Sequence, residues 1–305
     1  MFRMKAAFSC MAGFLAIVSG NLVAQAPQFD PVTFRVDGGG VHQSKADLKD
    51  GGGAFDVDRW FVSAGVNYSW NFRNSIGLSI GGGRSNYSFY DGTGFGGGEP
   101  WTSAEDFRIS APARFKVSER ATAIIVPSVR FNKEKGADSG DSTTYGLYAA
   151  VAWRLSKDLT IGPGIGVFSR LEDSANVFPI LAIDWNITDR WNLSTGRGLG
   201  ASQGPGLNLS YKINQYWSLG LAGRYEDAEF RLNDDGPSPG GIGRDQAFPL
   251  VFSGILEPNE DLRFSLFAGL ELGGKLKLQD TFGKTIEETK YDPALLIGAT
   301  FDIRF

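Results

Sequence analysis

The sequence predicts an all-β fold: a transmembrane antiparallel up-and-down β-barrel of about fourteen strands, with short turns at one end and long loops at the other. Three observations lead to it. Apolar and polar residues alternate with a period of two, the alternating runs are long, and the connections alternate in length. A strand of a soluble protein usually has about 5–6 residues. A strand that crosses a bilayer needs about 9–11.

The clearest run is Trp60, Val62, Ala64, Val66, Tyr68 and Trp70, interleaved with Arg59, Phe61, Ser63, Gly65, Asn67 and Ser69. Its apolar face begins and ends on an aromatic ring, which suits a wall meeting two membrane interfaces. The pattern recurs at Tyr145, Leu147, Ala149, Val151 and Trp153, and at Trp217, Leu219 and Leu221. It returns at Leu262, Phe264, Leu266, Ala268, Leu270 and Leu272, and last at Leu295, Ile297, Ala299, Phe301, Ile303 and Phe305. In order, strands are predicted at 31–42, 57–70, 75–90, 104–117, 121–132, 144–155, 159–170, 176–187, 191–200, 205–213, 217–232, 246–257, 262–273 and 292–305. An even number places both ends of the chain on the same side. Twelve strands is the alternative, because the first strand and the pair around 200–206 are the least regular.

Short polar turns fall at 71–74, 118–120, 156–158, 188–190, 214–216 and 258–261, several followed by an apolar-x-apolar restart such as Trp191-Asn192-Leu193. Longer Gly- and Asp-rich loops are expected at 43–56, 91–103, 132–143, 233–245 and 275–290, with two brief ones near 171–175 and 201–204. This segregation is that of a barrel with periplasmic turns and external loops. Two features resist. Pro112, Pro127, Pro163, Pro179 and Pro249 fall within predicted strands, where a missing N–H interrupts the ladder, so bulges or strand ends are expected there. Counting from Trp191 puts Arg197 on the lipid face at a cost of about 2–4 kcal/mol. A bulge at Gly196 or Gly198 would turn it inward.

The N-terminal residues read as an export signal. Arg3 and Lys5 precede an apolar stretch at 6–18, and Ala24-Gln25-Ala26 is a small-x-small site, so cleavage is expected after Ala26. One barrel domain, 27–305, would remain. Cleavage removes the only Cys (Cys10) and all three Met, which leaves no disulfide framework and no thiolate chemistry. It also removes two bases and no acid, taking the net charge from −4 to −6. That balance argues against nucleic-acid binding, which wants a basic patch or stripe.

The export signal, the alternating strands and the terminal Phe301-Asp302-Ile303-Arg304-Phe305 together resemble Gram-negative outer-membrane β-barrel proteins. The stretch Gly204-Pro205-Gly206-Leu207-Asn208-Leu209-Ser210-Tyr211-Lys212 through Arg224-Tyr225-Glu226 resembles an outer-membrane family of unknown function. The first resemblance implies an outer-membrane address. It makes Phe301, Ile303 and Phe305 the signal read by the barrel-assembly machinery, with Ile303 standing where an aromatic is common. The partners it implies are that machinery, outer-membrane lipids and lipopolysaccharide. The second brings no catalytic residues.

On strand parity the inward set is Arg59, Arg108, Arg114, Lys116, Arg130, Arg154, Arg170, Asp184, Arg224, Glu226, Arg263, Glu271, Asp302 and Arg304. Opposed charges in an open lumen select solutes by charge and size, and the excess of Arg favours anions. Paired off, the same groups would plug the lumen. A second candidate is His42 and Ser44 with Asp56 across a loop, the grouping of an outer-membrane lipid hydrolase: His42 would deprotonate Ser44 and Asp56 would orient the ring. The glycine runs at 38–40, 51–53, 81–83 and 96–98 lack the Lys-Ser/Thr of a phosphate loop. With one histidine and no cysteine in 27–305, no Cys/His metal site is expected, and no cofactor. Three functions remain: a passive channel or uptake barrel for small solutes, a structural or surface-interaction barrel working through its loops, and the lipid hydrolase.

Overall fold

The computed structural model describes residues 30–50, 52–90, 94–172, 174–195 and 206–305. The export signal, Arg197 and its flanking glycines lie outside the described residues. Fourteen antiparallel strands form one closed sheet: β1 Val32–Asp47, β2 Ala54–Asn71, β3 Asn74–Tyr90, β4 Ser103–Ser110 resuming at Ala113–Lys116, β5 Ala121–Lys133, β6 Thr143–Arg154 and β7 Leu159–Ser169. There follow β8 Ala175–Asn186, β9 Trp191–Thr195, β10 Gly206–Lys212, β11 Trp217–Arg224 resuming at Glu226–Arg231, β12 Ile242–Asn259, β13 Leu262–Gln279, and β14 Thr285–Lys290 resuming at Ala294–Arg304. Each strand pairs with its neighbours in sequence, and β1 pairs with β14 from Arg35↔Arg304 to Gln43↔Leu296, which shuts the cylinder. Phe305 completes that seam. Its N–H donates to the Phe34 carbonyl at 2.9 Å, and the Phe34 N–H returns a bond of 3.0 Å.

The six short turns share one device. Asn71, Ser118, Ser156, Thr188, Asn214 and Asn259 each accept, on a side-chain oxygen, backbone N–H groups two and three residues ahead. Asn, Ser and Thr close a turn in this way without a special φ. The recurrent pattern in the sequence is this hairpin unit, used six times at one end of the barrel, the turn end.

The outer face is an apolar band. Trp70, Phe115, Trp153, Trp185, Trp191 and Trp217 ring its turn end, all of them exposed. Trp60, Tyr145, Tyr225 and Phe248 mark the other limit. The ten residue steps from Trp60 to Trp70, at ~3.3 Å each and tilted about 40°, span about 25 Å, the height of the apolar band on outer-membrane barrels.

Beyond that band, towards the loop end, the pattern inverts. Phe55, Val57, Leu276 and Leu278 point inward and are fully or almost fully buried. Phe55 and Val57 do so on the unbroken inner parity of β2, whereas bulges shift the phase in β1 and β13. In β1 the register slips between Gln43 and Ala46 against Val57 and Phe55. In β13, Gly273 and Gly274 are inserted between Leu272, opposite Phe248, and Lys275, opposite Gln246. Gly273 has φ +62°, which favours glycine. The predicted loops at 43–56 and 275–290 are therefore mostly wall, whereas 233–245 is loop up to Gly241. The strands run on to Asp47, Gln279 and Lys290, and β12 begins at Ile242.

The prolines divide. Pro112 sits in the break of β4, and Pro127 lies beside it, its carbonyl accepting from the Ala111 N–H at 3.0 Å. Near Pro163 the β6–β7 ladder lapses between Ala150↔Gly164 and Trp153↔Ile161. Pro249 follows the β12 register shift at Gln246/Phe248. Pro179 departs from the expectation. It stands in unbroken pairing with Ile165, on a stretch of β8 that is paired on its β7 side only among the described residues.

Candidate functional site

The barrel interior changes character along its axis. At the turn end it is polar and open to solvent. Asp302 lies between Arg35 and Arg304, and Arg263 lies 3.4 Å from Glu257. Arg114, Lys116, Arg154 and Asp184 share the inner parity and are exposed. Arg154 and Asp184 flank Thr160 in one cross-strand row, and Asp184 accepts from Asn192 at 2.8 Å.

Midway, the wall encloses a cavity of about 440 Å³. On one side Val41, Phe61, Phe267 and Leu296 make it apolar. On the other lie Asp106, Arg130, Phe168 and Phe178. The Phe168 and Phe178 rings stack at 5.8 Å with planes 7° apart, and Tyr148 meets both edge-on. Glycine makes room for them. A Cβ on Gly146 would stand 2.2 Å from Phe168, and one on Gly166 2.5 Å from Phe178. The Arg130 guanidinium lies over Phe168, 4.4 Å from the ring centre, a favourable cation–π placement where water is scarce.

Above the cavity is a buried polar girdle. Arg59 reaches Asp245 at 3.1 Å and Glu271 at 3.5 Å. The Tyr87 hydroxyl stands 3.0 Å from Asp245, and that of Tyr291 stands 3.0 Å from Asp245 and 2.8 Å from Glu271. A buried ionic cluster needs this density of partners to offset desolvation.

The loop end carries a packed cap among the described residues. Phe95 and Trp101, from the segment between β3 and β4, insert among Phe55, Tyr87, Phe230, Leu232, Leu276 and Leu278. Trp101 packs edge-on against Tyr87, Phe89, Phe95 and Phe230. The outer part of β11 crosses the mouth and meets β5 at Arg231↔Lys133. Buried Arg231 donates to the carbonyls of Asp141, Leu171 and Gly240 at 2.8–3.0 Å. Buried Glu134 accepts from the N–H groups of Thr102 and Asn233. The cap is imperfectly satisfied: both amide atoms of fully buried Gln43, Trp101 Nε1 and Ser103 Oγ have no hydrogen-bond partner.

Several residues of the inward set are thus tied up. Besides Arg59, Arg263 and Arg304, Arg170 lies 3.2 Å from Glu172 and 3.4 Å from Glu229, and Arg224 lies 3.7 Å from Glu226. Arg108 and Arg130 differ. They stand directly opposite each other on β4 and β5, and among the described residues neither has a carboxylate within ion-pair distance. Phe168, Phe178, Tyr148, Tyr87, Asp245, Tyr291, Glu134 and Arg231 were not singled out from the sequence. Inner parity alone signals the aromatics; the cap residues carry no local signal.

His42, Ser44 and Asp56 are not assembled as a relay. His42 Nδ1 lies 2.8 Å from Asp58. Asp56 instead accepts from the Tyr90 hydroxyl at 2.7 Å. Ser44 falls in the β1 bulge, where its Oγ accepts from the Leu295 N–H at 2.9 Å. The regular register sets Asp58 opposite His42 as the acid within reach, and the slip beyond Gln43 displaces Ser44.

No protein-family model and no curated protein sequence matches the chain. Solved structures do. An outer-membrane channel from Pseudomonas putida F1 superposes with a TM-score of 0.52 at 10% identity, over 90% of this chain and 96% of that one. A mutant of TodX, a monoaromatic hydrocarbon channel of P. putida, superposes with a TM-score of 0.50 at 8% identity, over 91% of each chain. At such identities the likeness is one of fold, and the fold is that of Gram-negative outer-membrane β-barrels.

Proposed function

We propose that this protein is a passive uptake channel of the outer membrane for small solutes, held closed by its cap. The observation that carries this reading is the 440 Å³ cavity, enclosed by a membrane-height wall and stoppered by loop residues. A barrel needed only as a wall or a loop platform has no use for a preformed internal cavity of ligand size. In this reading the turn end faces the periplasm and the cap faces outward, and the chain reaches the membrane after cleavage behind Ala26 and assembly through its last strand. Opening consists of loosening the cap, where unsatisfied Gln43 and Trp101 make the closed packing less than optimal.

The closed cap also favours a second reading, a surface-interaction barrel without transport. Planar-bilayer recordings separate the two. The intact protein should give brief, infrequent conductance steps, and a variant carrying Phe95→Ala and Trp101→Ala should give larger and longer ones. Absence of steps in both, together with no solute uptake into vesicles, would overturn the channel.

A further inference from the structure

The pairing of charges around the cavity is uneven, and the exception points at a ligand. Most acids of the lining are met by a base. Arg59 holds Asp245 and Glu271, and Arg244 holds Asp227 at 2.5–2.6 Å and Glu229 at 3.3 Å. Arg170 adds a second contact to Glu229, Arg224 faces Glu226, and Arg84 faces Glu105. The β4–β5 wall lacks this balance. There Arg108 and Arg130 are set against one acid, Asp106, which lies beyond ion-pair distance of both among the described residues. Arg130 is 8% exposed, and its Nε has no hydrogen-bond partner. Its guanidinium reaches Tyr148 and lies on the Phe168 ring, which leaves part of its donor edge unused.

A buried guanidinium with an open donor edge is costly unless something with paired oxygens completes it. Beside it the Phe168–Phe178 pair offers a flat aromatic tile, and the facing wall of Phe61, Phe267, Val41 and Leu296 is apolar. The space is thus amphipathic: one cationic fork at the edge of a slot lined by rings. Asp106, together with the acids nearby, makes the site hostile to a second negative charge. Resting on the channel reading for its access route, we propose that the cavity is a binding site for a monocyclic aromatic monocarboxylate. Arg130 takes the carboxylate oxygens, and Phe168 and Phe178 take the ring.

The test is equilibrium binding to the barrel in detergent, read by calorimetry with 3-phenylpropionate, 3-phenylpropanol, 3-phenylpropylamine and acetate. The carboxylate should bind about tenfold or more tightly than the alcohol and the amine, as expected for hydrogen bonds to a charged partner. Acetate, lacking the ring, should bind far more weakly. Arg130→Gln should bring 3-phenylpropionate down to the level of the alcohol, and Phe168→Leu should weaken all three aromatic probes. Equal binding of alcohol or amine, or an undiminished preference in Arg130→Gln, would overturn the proposal. Should Arg130→Gln not fold, Phe178→Leu with the same probes serves, and undiminished binding of all three aromatic probes would overturn the proposal. Vesicle uptake of a neutral sugar keeps the two readings apart. Uptake without carboxylate preference sinks this inference alone, and carboxylate binding without any uptake sinks the channel alone.

Discussion

Arg231 shows how a single residue ties the segments of the cap together. Its guanidinium closes three carbonyls from three different segments, at Asp141, Leu171 and Gly240, and no other buried cation does this at the loop end among the described residues. A hydrogen bond to a charged group contributes about 1.5–3 kcal/mol, and water that enters after the side chain is removed recovers part of that. Arg231→Ala is therefore expected to destabilise the cap locally by about 2–3 kcal/mol while leaving the barrel folded, because the wall pairs independently of it. Backbone hydrogen exchange should accelerate at 94–102 and 134–142 and stay slow in β2 and β13. Unchanged protection of the cap segments would mean that the apolar insertion of Phe95 and Trp101 alone holds it. The inward arginines are legible in the sequence because parity is a local property. Arg231 is legible only once β11 is seen to cross the mouth, a long-range contact that no local pattern records.

Whole strands were read correctly wherever one rule held from end to end. In the band the apolar residues face outward, and Trp60 to Trp70 and Leu262 to Leu272 were legible for that reason. Strands β1 and β13 run on past the point where the rule reverses, at Gln43 and at Gly273. A glycine pair reads in sequence as a turn signal; here it is a bulge that lets Leu276 and Leu278 swing inward. The bulge has a second use. The Tyr291 ring lies flat over Gly274, so closely that an added Cβ would stand 1.9 Å from it. Gly274→Ala should displace Tyr291 and break its hydroxyl contacts with Asp245 and Glu271, leaving part of a buried ionic cluster unmet. The expected cost is about 2–4 kcal/mol, measurable as a lower urea midpoint for unfolding from vesicles. Gly254→Ala is the control, since nothing stands within 4 Å of its added Cβ. Equal midpoints for the two variants would show that the bulge tolerates a side chain and that Tyr291 can move without loss.

At the scale of the whole molecule, the two reversed patterns define where lipid ends. A closed barrel in water would bury apolar residues inside along its full length; this one does so mainly at the loop end and on the inner wall at Val251, Phe267 and Leu296. Elsewhere its apolar residues look outward, and Leu266 is 72% exposed in the middle of the band. That exposure is tolerable only against hydrocarbon, because apolar surface left in water forgoes about 25 cal/mol per Å². The placement is tested by moving a charge across the wall. Leu266→Arg sets a guanidinium at mid-band on the outer face, where it costs about 2–4 kcal/mol. Ser265→Arg, one residue earlier, sets it on the inner face opposite Ser218's partner Ile255 and beside Thr300, within reach of the polar turn end, and should cost less than 1 kcal/mol by roughly the same lumen-versus-lipid contrast. Folding into vesicles of about 30 Å hydrocarbon thickness, followed by urea titration, should separate the two variants by about 2 kcal/mol or more. Equal stability would mean that the outer band does not meet lipid, and the barrel would then need another protein surface to cover it.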